Sequence, residues 1–163
     1  MLGPVPEIDD ATLATWRAFL NAHARVTRRI SGELAAAGLP DLSWYDLLWA
    51  LYRQRGRSLR VNELARELVL SPPAMSRFVD RLASAGCVRR EADPDDRRAQ
   101  RVVLTDVGVA LLRRMWPVYA AGIEAHFAAH LGRSPQQLRT MLERIAQPAA
   151  IQPSPRSAIS RKA

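Results

Sequence analysis

Two arginines one helical turn apart, Arg77 and Arg81, have the chemistry and spacing of a nucleic-acid contact. A guanidinium group presents several N–H donors in one plane and can bind phosphate oxygens or the two acceptors on a guanine edge. Ser76 adds a hydroxyl next to them. A second pair, Arg97 and Arg98, follows a run of acidic turn residues, where it predicts contact with a narrow minor groove or with phosphate. The alternative for both pairs is a solvated surface.

A short helix is predicted on the amino-terminal side of these residues. Its apolar side chains follow the spacing i, i+3, i+4, i+7 and therefore share one helical face. They are Val61, Leu64, Ala65 and Leu68. The pattern stops at Ser71, whose hydroxyl can cap a new helix, and Pro72 suits the first position of that helix.

The second helix is predicted to end at Gly86 and to carry the first arginine pair on its outer face. Its apolar stripe is Met75, Phe78, Val79 and Leu82. Pro73 and Ala74 keep its outer face small near the start, which lets a helix enter a major groove about 12 Å wide. We therefore predict that this is a recognition helix.

The segment after Gly86 predicts a two-stranded hairpin, or wing. Residues 87–91 and 101–104 have strand composition and flank the turn-rich residues 93–96. Asp96, two residues before Arg98, can orient its guanidinium. The predicted DNA-binding residues are Ser71, Pro73, Ala74, Ser76, Arg77, Arg81, Asp96, Arg97 and Arg98.

With these motifs the chain resembles the MarR-type winged-helix transcriptional regulators. The resemblance rests on Glu63-Leu64-Ala65, Leu70-Ser71, Ser76-Arg77-Phe78-Val79-Asp80-Arg81-Leu82, Gly86-Cys87-Val88-Arg89-Arg90, Asp96-Arg97-Arg98 and Leu104-Thr105-Asp106-Val107-Gly108. It implies a homodimer, a palindromic operator and an effector pocket between the DNA-binding and dimerisation regions. It also implies that Arg98 is the wing-tip residue, with Asp96 as its partner.

Composition favours a polyanionic partner. The 163 residues carry a net charge of +8 and are 48% hydrophobic. Between Arg53 and Arg101, arginines outnumber acidic residues 12 to 7, although base composition of the genome alone can favour arginine over lysine. No apolar run reaches the roughly 18 residues of a membrane span, and no secretory signal is evident, so we expect a cytoplasmic protein. No phosphate loop, nucleophile elbow or carboxylate dyad indicates an enzyme.

The remaining residues predict helices that flank the winged unit. A stripe from Leu13 to Leu34 predicts one long helix over residues 10–38, and a helix opened by Ser43 follows over residues 44–53. Thr105 is predicted to cap a helix reaching about Leu131, bent at Pro117, and residues 134–146 form another. The fold class is mainly α with a small β-hairpin wing, that is, a winged helix-turn-helix plus a helical dimerisation layer.

Four regions follow from this pattern. Residues 1–40 are the predicted amino-terminal dimerisation helix, and residues 41–105 the winged helix-turn-helix DNA-binding domain. Residues 106–147 are the predicted carboxy-terminal dimerisation helices, and residues 148–163 a disordered basic tail.

The resemblance implies an effector, expected to be an aromatic acid or a lipophilic compound. The predicted effector-binding residues are Trp16, His23, Trp44, Tyr45, Asp46, Trp49 and Arg89. Asp46, Arg77 and Arg89 match positions used by the urate-responsive branch of the family, but the tryptophan helix of that branch is not matched. Aromatic residues at helical spacing are also typical of a core.

Histidine and cysteine usage leaves two sensing alternatives. His126 and His130 have the i, i+4 spacing of a metal pair, but Glu124 is the nearest acid and lies elsewhere on the helix, so no metal or cofactor is predicted. Cys87 is interpreted as a buried small hydrophobe rather than a redox sensor. The predicted function is a ligand-responsive regulator, most often a repressor in this family. A zinc sensor and a winged-helix protein-interaction module without operator binding are the alternatives.

Overall fold

A computed structural model describes residues 7–96, 99–132 and 134–147. In chain order, its elements within these ranges are α1 (Asp10–Ala36), α2 (Leu42–Tyr52), β1 (Ser58–Arg60), α3 (Val61–Glu67), α4 (Pro72–Ser84), β2 (Val88–Ala92), β3 (Gln100–Leu104), α5 (Asp106–His126) and α6 (Pro135–Ala146), with 3₁₀ turns at Arg55–Arg57 and Ala128–His130. The chain divides between Ala129 and His130 into two compact units, and α6 belongs to the second. The mainly helical fold class with a small β-sheet is confirmed.

Helix α1 confirms the long amino-terminal helix. It begins after Asp9, whose side chain accepts a hydrogen bond from the Thr12 amide at 2.9 Å. Its stripe is buried only near the end, at Ile30 and Leu34. Trp16 and Leu20, from the same stripe, are 52% and 45% exposed. The first half of α1 therefore has an apolar surface that this unit does not cover.

The two helices of the predicted helix-turn-helix are α3 and α4, and their limits follow from local capping. The Ser71 hydroxyl accepts a hydrogen bond from the Ala74 amide, and Pro72 occupies the first position of α4. Gly86 follows the helix with φ of +71°, the left-handed conformation that glycine adopts at low cost. The predicted core stripe of α4 is fully confirmed, since all four of its members are buried.

The wing has three strands where the sequence predicted two. Strands β2 and β3 form the expected antiparallel hairpin, with Val88 opposite Leu104 and Ala92 opposite Gln100. Strand β1 pairs with the other edge of β3, so that the strand order is β1-β3-β2. The short β1 lacks a strand pattern of its own, because its hydrogen bonds go to a strand some 40 residues later along the chain.

Two helix boundaries near the wing differ from the prediction, namely the start of α2 and the end of α5. Helix α2 begins at Leu42 rather than Trp44, because the Asp41 carboxylate accepts from the Ser43 amide at 3.0 Å and caps the helix earlier. Helix α5 is capped by Thr105 as predicted but ends at His126 before a 3₁₀ turn. Pro117 lies inside α5.

Core leucines hold α2 against the winged unit. Leu47, Leu48 and Leu51 are fully buried together with Leu64 of α3. Helix α5 approaches α1 closely at Gly122, where a Cβ would lie 2.9 Å from the Ile30 side chain. No helix within the described ranges combines the length and the apolar character needed to cross a membrane.

Candidate nucleic-acid interface

The outer face of α4 presents the side chains predicted to contact DNA. Ser71, Pro73, Arg77 and Arg81 are exposed, while Ala74 and Ser76 are partly covered. The buried stripe on the opposite side of α4 fixes which face points outward. The structure therefore brings the predicted recognition residues of α4 together on one surface.

The two arginines of α4 differ in their surroundings. The Arg81 guanidinium lies 5.0 Å from the centre of the Phe78 ring, within the range of a cation–π interaction. Within the described residues, Arg77 makes no hydrogen bond or ion pair and is exposed, so its donors are available to an outside acceptor. Arg81 is thereby restricted in direction, whereas Arg77 is not.

Arg90 connects α4 to the wing, a role that sequence reasoning missed. From β2, its guanidinium donates to the Asp80 carboxylate at 2.7 Å and to the Ser76 carbonyl and hydroxyl oxygens, each at 3.1 Å. It also donates to Gln100 of β3 at 2.9 Å. The contact joins residues ten or more positions apart, so helical or strand periodicity could not reveal it.

A buried carboxylate at the base of the wing is the second missed feature. Asp93 is only 2% exposed and accepts from the Arg60 guanidinium at 2.7 and 2.8 Å. Arg101 donates to it at 3.2 Å, and the amides of Asp95 and Asp96 donate at 3.0 and 3.1 Å. The Arg60 hydrogen bonds, above all, hold the pKa of Asp93 far below its ordinary value.

This cluster assigns the organising role in the wing turn to Asp93. Sequence reasoning treated Asp93 as a turn residue and named Asp96 as the acid that orients an arginine. The Asp96 amide donates to Asp93, and the predicted role of Asp96 towards Arg98 stays a prediction. Arg97 and Arg98 lie outside the described residues, as do residues 148–163, so the contacts predicted for the wing tip and the interpretation of the tail stay predictions.

A second candidate site is a cavity of about 610 Å³ between α2 and α5, which we call the aromatic pocket. Side chains from both helices line it. They are Tyr45, Asp46, Trp49 and Tyr52 of α2, with Val109, Leu112, Arg113, Trp116, Tyr119 and Ile123 of α5. Its volume is within the range of about 300–1,000 Å³ that is typical of small-molecule sites.

Tyr45 lies at the centre of the pocket's ring cluster. It stacks on Trp49 and Trp116 with ring centres 6.2 and 6.1 Å away, and it meets Tyr119 edge to face at 4.7 Å. Burial, followed by the neighbouring Tyr119, raises the pKa of the Tyr45 hydroxyl. Burial likewise raises the pKa of Tyr119. These rings form one continuous aromatic wall.

Asp46 brings a carboxylate to this wall. The residue keeps an exposed surface, yet loss of hydration around its carboxyl group raises its pKa, and repulsion from Asp41 adds to the effect. Arg113 contributes a cationic group from α5. No ion pair joins Asp46 to Arg113 or to any other residue that the structure describes.

The predicted effector residues separate into two groups. Tyr45, Asp46 and Trp49 line the aromatic pocket, and the lining does not include the other four, which all lie within the described ranges: Trp16, His23, Trp44 and Arg89. Trp16 stacks on Phe19 at 5.9 Å, Trp44 packs against the core, and Arg89 pairs with Glu91 at 2.7 Å. Sequence reasoning missed the α5 wall, because some 60 residues separate it from α2.

The histidine and cysteine alternatives have concrete surroundings. Cys87 is 3% exposed and burial raises its thiol pKa, which agrees with its interpretation as a small core residue. His126 Nε2 lies 2.5 Å from Glu33 Oε1 and so links α5 to α1, while His130 belongs to the second unit. Within the described residues, no group of three His, Cys, Asp or Glu side chains is placed to hold a metal ion.

The chain is similar to one family model and to two HTH-type transcriptional regulators. A family model described as MarR family matches residues 37–99, which span the helix-turn-helix and the wing as far as the residue before β3. HTH-type transcriptional regulator PrsX of Escherichia coli is 29% identical over 96 residues, 59% of this chain and 57% of that protein. The match thus spans little more than half the length of that relative. HTH-type transcriptional repressor IacR of Pseudomonas putida is 26% identical over 121 residues, 74% of this chain and 71% of that protein.

A solved structure extends the similarity over nearly the whole fold. Sco3205, a MarR family transcriptional regulator from Streptomyces coelicolor, was crystallised in complex with DNA. It superimposes with a TM-score of 0.80 at 27% sequence identity, over 91% of this chain and 97% of that one. The likeness therefore includes the helices that flank the winged unit.

Proposed function

We propose that this chain, which belongs to the MarR family of winged helix-turn-helix transcriptional regulators, represses transcription as a homodimer on a pseudo-palindromic operator and responds to a small molecule. The observation that carries the proposal is the outer face of α4, where Arg77 and Arg81 are exposed. The DNA complex of Sco3205, a relative of the same fold, supports it. We expect such a regulator to act in the cytoplasm, because its partner is genomic DNA.

The surface of α4 suits a major groove. Pro73 and Ala74 leave room for the start of the helix, and the donors of Arg77 can reach a guanine edge or a phosphate. Arg90 fixes α4 relative to the wing, so both parts meet the duplex in one orientation. In a symmetric dimer the two α4 helices would read half-sites roughly 34–36 Å apart.

Selection of bound fragments from randomised duplexes would give the operator and its symmetry. Affinity for that operator should fall steeply as salt rises, because phosphate contacts release counterions. Arg77→Ala should weaken operator binding by about 10- to 100-fold, as expected for one lost base or phosphate contact. Arg114→Ala removes the same charge from an exposed position on α5 and is the matched control.

Two results would contradict the proposed contact between α4 and DNA. Operator affinity that ignores salt, or an Arg77→Ala variant that binds as well as the Arg114→Ala control, would rule out groove contact by α4. A helical interaction module that uses the wing against a protein would give that result.

The exposed apolar surface of α1 supports the homodimer. Trp16, Phe19 and Leu20 are 52%, 41% and 45% exposed, and contiguous apolar side chains of this kind are typical of an interface. Leu20→Glu should turn the dimer into a monomer in sedimentation experiments and weaken operator binding. A wild-type chain that sediments as a monomer at operator-binding concentrations would contradict the dimer.

The aromatic pocket supports the response to a small molecule. Its walls come from α2, which packs on the winged unit, and from α5, which packs on α1. A ligand between these helices can favour one arrangement of them over another, and only such differential affinity can change DNA binding. Repression would then be relieved when the ligand stabilises a dimer whose α4 helices are spaced wrongly for the operator.

A further inference from the structure

The aromatic pocket contains one acidic side chain, and this acid has no partner. Asp46 makes no hydrogen bond or ion pair with any residue that the structure describes. A carboxylate that has lost part of its hydration without gaining a cation is energetically uncompensated. A ligand that supplies a positive charge would remove this cost.

We propose that the aromatic pocket selects a lipophilic organic cation, whose charge lies between the Asp46 carboxylate and the surrounding ring faces. The inference rests on the effector response proposed above, because it names the chemical class of that effector. It narrows the broader expectation of an aromatic acid or a lipophilic compound to one sign of charge.

The ring cluster favours a cation for a reason independent of Asp46. The face of an aromatic ring is electrically negative, and tryptophan binds cations best. Trp49 and Trp116 both stack on the Tyr45 ring yet stay 47% and 51% exposed, so parts of their surfaces are open to a ligand. The pocket thus combines negative ring faces with a full negative charge.

Arg113 is the basic residue of the lining, and its positive charge disfavours a cation in the pocket. An aromatic carboxylate paired with Arg113 would be the opposite class of ligand. Its charge would approach both the negative ring faces and the Asp46 carboxylate, and each of these repels an anion. Arg113 and Asp46 are both exposed members of the lining, but Arg113 carries its charge at the end of a long side chain that can extend into solvent, whereas the short side chain of Asp46 keeps its carboxylate at the wall.

The volume of the pocket sets the size of the cation. About 610 Å³ is far larger than a simple ammonium ion needs and leaves room for several aromatic or alicyclic rings. The expected ligand therefore carries its charge within a bulky apolar body.

Tetraphenylphosphonium and tetraphenylborate test this inference directly, because the two ions share one shape and differ in the sign of their charge. Calorimetric titration of the full chain without DNA would measure both affinities, and quenching of tryptophan fluorescence would report binding near Trp49 and Trp116. We expect the phosphonium to bind at least about tenfold more tightly, as one favourable charge contact predicts. The net charge of +8 works against this result, so it cannot arise from general attraction to the protein.

Asp46→Asn should lower the affinity for tetraphenylphosphonium by about tenfold. Glu124→Gln removes the same charge from an exposed site on α5 outside the lining and should leave that affinity unchanged. Equal or tighter binding of tetraphenylborate to the wild-type chain would overturn the inference, even if Asp46→Asn failed to fold. Equal loss in both variants would overturn it as well.

Operator binding is measured separately, so the two proposals can fail separately. A chain that binds its operator but prefers tetraphenylborate would retain the proposed function and lose the cation. A chain that binds tetraphenylphosphonium through Asp46 but keeps its operator affinity unchanged at saturation would retain the cation site and lose its role as an effector site.

Discussion

Asp93 and Asp46 are two acids that have lost hydration, and their pKa values move in opposite directions. Asp93 accepts from two arginines and two backbone amides, and its pKa lies far below the ordinary value. Asp46 has no such partners, and its pKa is raised. Burial acts on both carboxylates in the same sense, so the difference comes from the donors around them.

The acid at the base of the wing has its hydrogen-bond partners within the chain, whereas the acid in the aromatic pocket has none among the described residues. At the base of the wing, the Asp93 carboxylate is satisfied by arginine and amide donors of the described residues, which fixes the shape of this region before any partner binds. In the aromatic pocket, the Asp46 carboxylate has no partner among the described residues, and the stacked rings of Trp49 and Trp116 keep exposed surface, an arrangement that suits the cation proposed above.

The largest expected effect comes from Asp93→Asn, which removes the negative charge that Arg60 and Arg101 share. Asparagine keeps one accepting oxygen but leaves two arginines without their buried counter-charge, so we expect the melting temperature to fall by about 5–10 °C. Asp46→Asn is the matched substitution and should leave the melting temperature unchanged or slightly higher. Thermal unfolding followed by circular dichroism would check both, and similar losses in the two variants would remove the contrast.

Arg90→Ala would test whether the Arg90 contact between the wing and α4 positions this helix for DNA. We expect operator affinity to fall by about tenfold, since α4 and the wing lose their shared contact. The slope of affinity against salt should change little, because the Arg90 donors are engaged within the chain. Arg89→Ala, which removes an exposed pair with Glu91, is the control, and an equal loss there would contradict a positioning role for Arg90.

Gly122→Ala would test how closely the α5 wall of the pocket is fixed against α1. The added Cβ would lie 2.8 Å from Glu33 Oε2 and 2.9 Å from Ile30, so we expect a loss of about 1 kcal/mol in unfolding free energy. Gly32→Ala, at a helical glycine whose new Cβ would meet no atom within 4 Å beyond its chain neighbours and the local helix backbone, should instead gain about 0.5–1 kcal/mol. Urea unfolding would measure both, and a gain in both variants would show that α1 and α5 separate easily.

The smallest effect is a difference in pH dependence between the two acids. The raised pKa of Asp46 means that the folded chain binds its proton more readily, so its contribution falls as pH rises from the ordinary value of 3.8 through the raised one. The advantage of Asp46→Asn over the wild type should therefore exist at neutral pH and vanish below that window. The deficit of Asp93→Asn should shrink only as pH falls below 3.8, towards the lowered pKa of Asp93. Parallel pH profiles of melting temperature would contradict the opposite environments.

Helix α4 was predictable because its signals are local. Ser71, Pro72 and Gly86 mark the ends of α4, and the apolar spacing between them identifies its buried face. The hairpin was predictable for the same reason, from strand composition on both sides of an acidic turn. Strand β1 was not, since three residues without a pattern become a strand only when β3 lies beside them.

For the candidate sites as well, features within one helix could be predicted and contacts between distant segments could not. The exposed face of α4 follows from helical periodicity, and Tyr45, Asp46 and Trp49 could be named because they share one helix. The α5 wall of the pocket, the Arg90 contact and the arginines around Asp93 all join distant segments.

Periodicity and capping act within a few residues, so the order of side chains along the chain was sufficient to specify the helices, the hairpin and the outward face of α4. The pKa of an acid depends on which donors surround it in space, and an aspartate in a turn looks the same in sequence whether two arginines or none will reach it. Folding alone therefore made Asp93 a satisfied structural acid and left Asp46 open among aromatic rings.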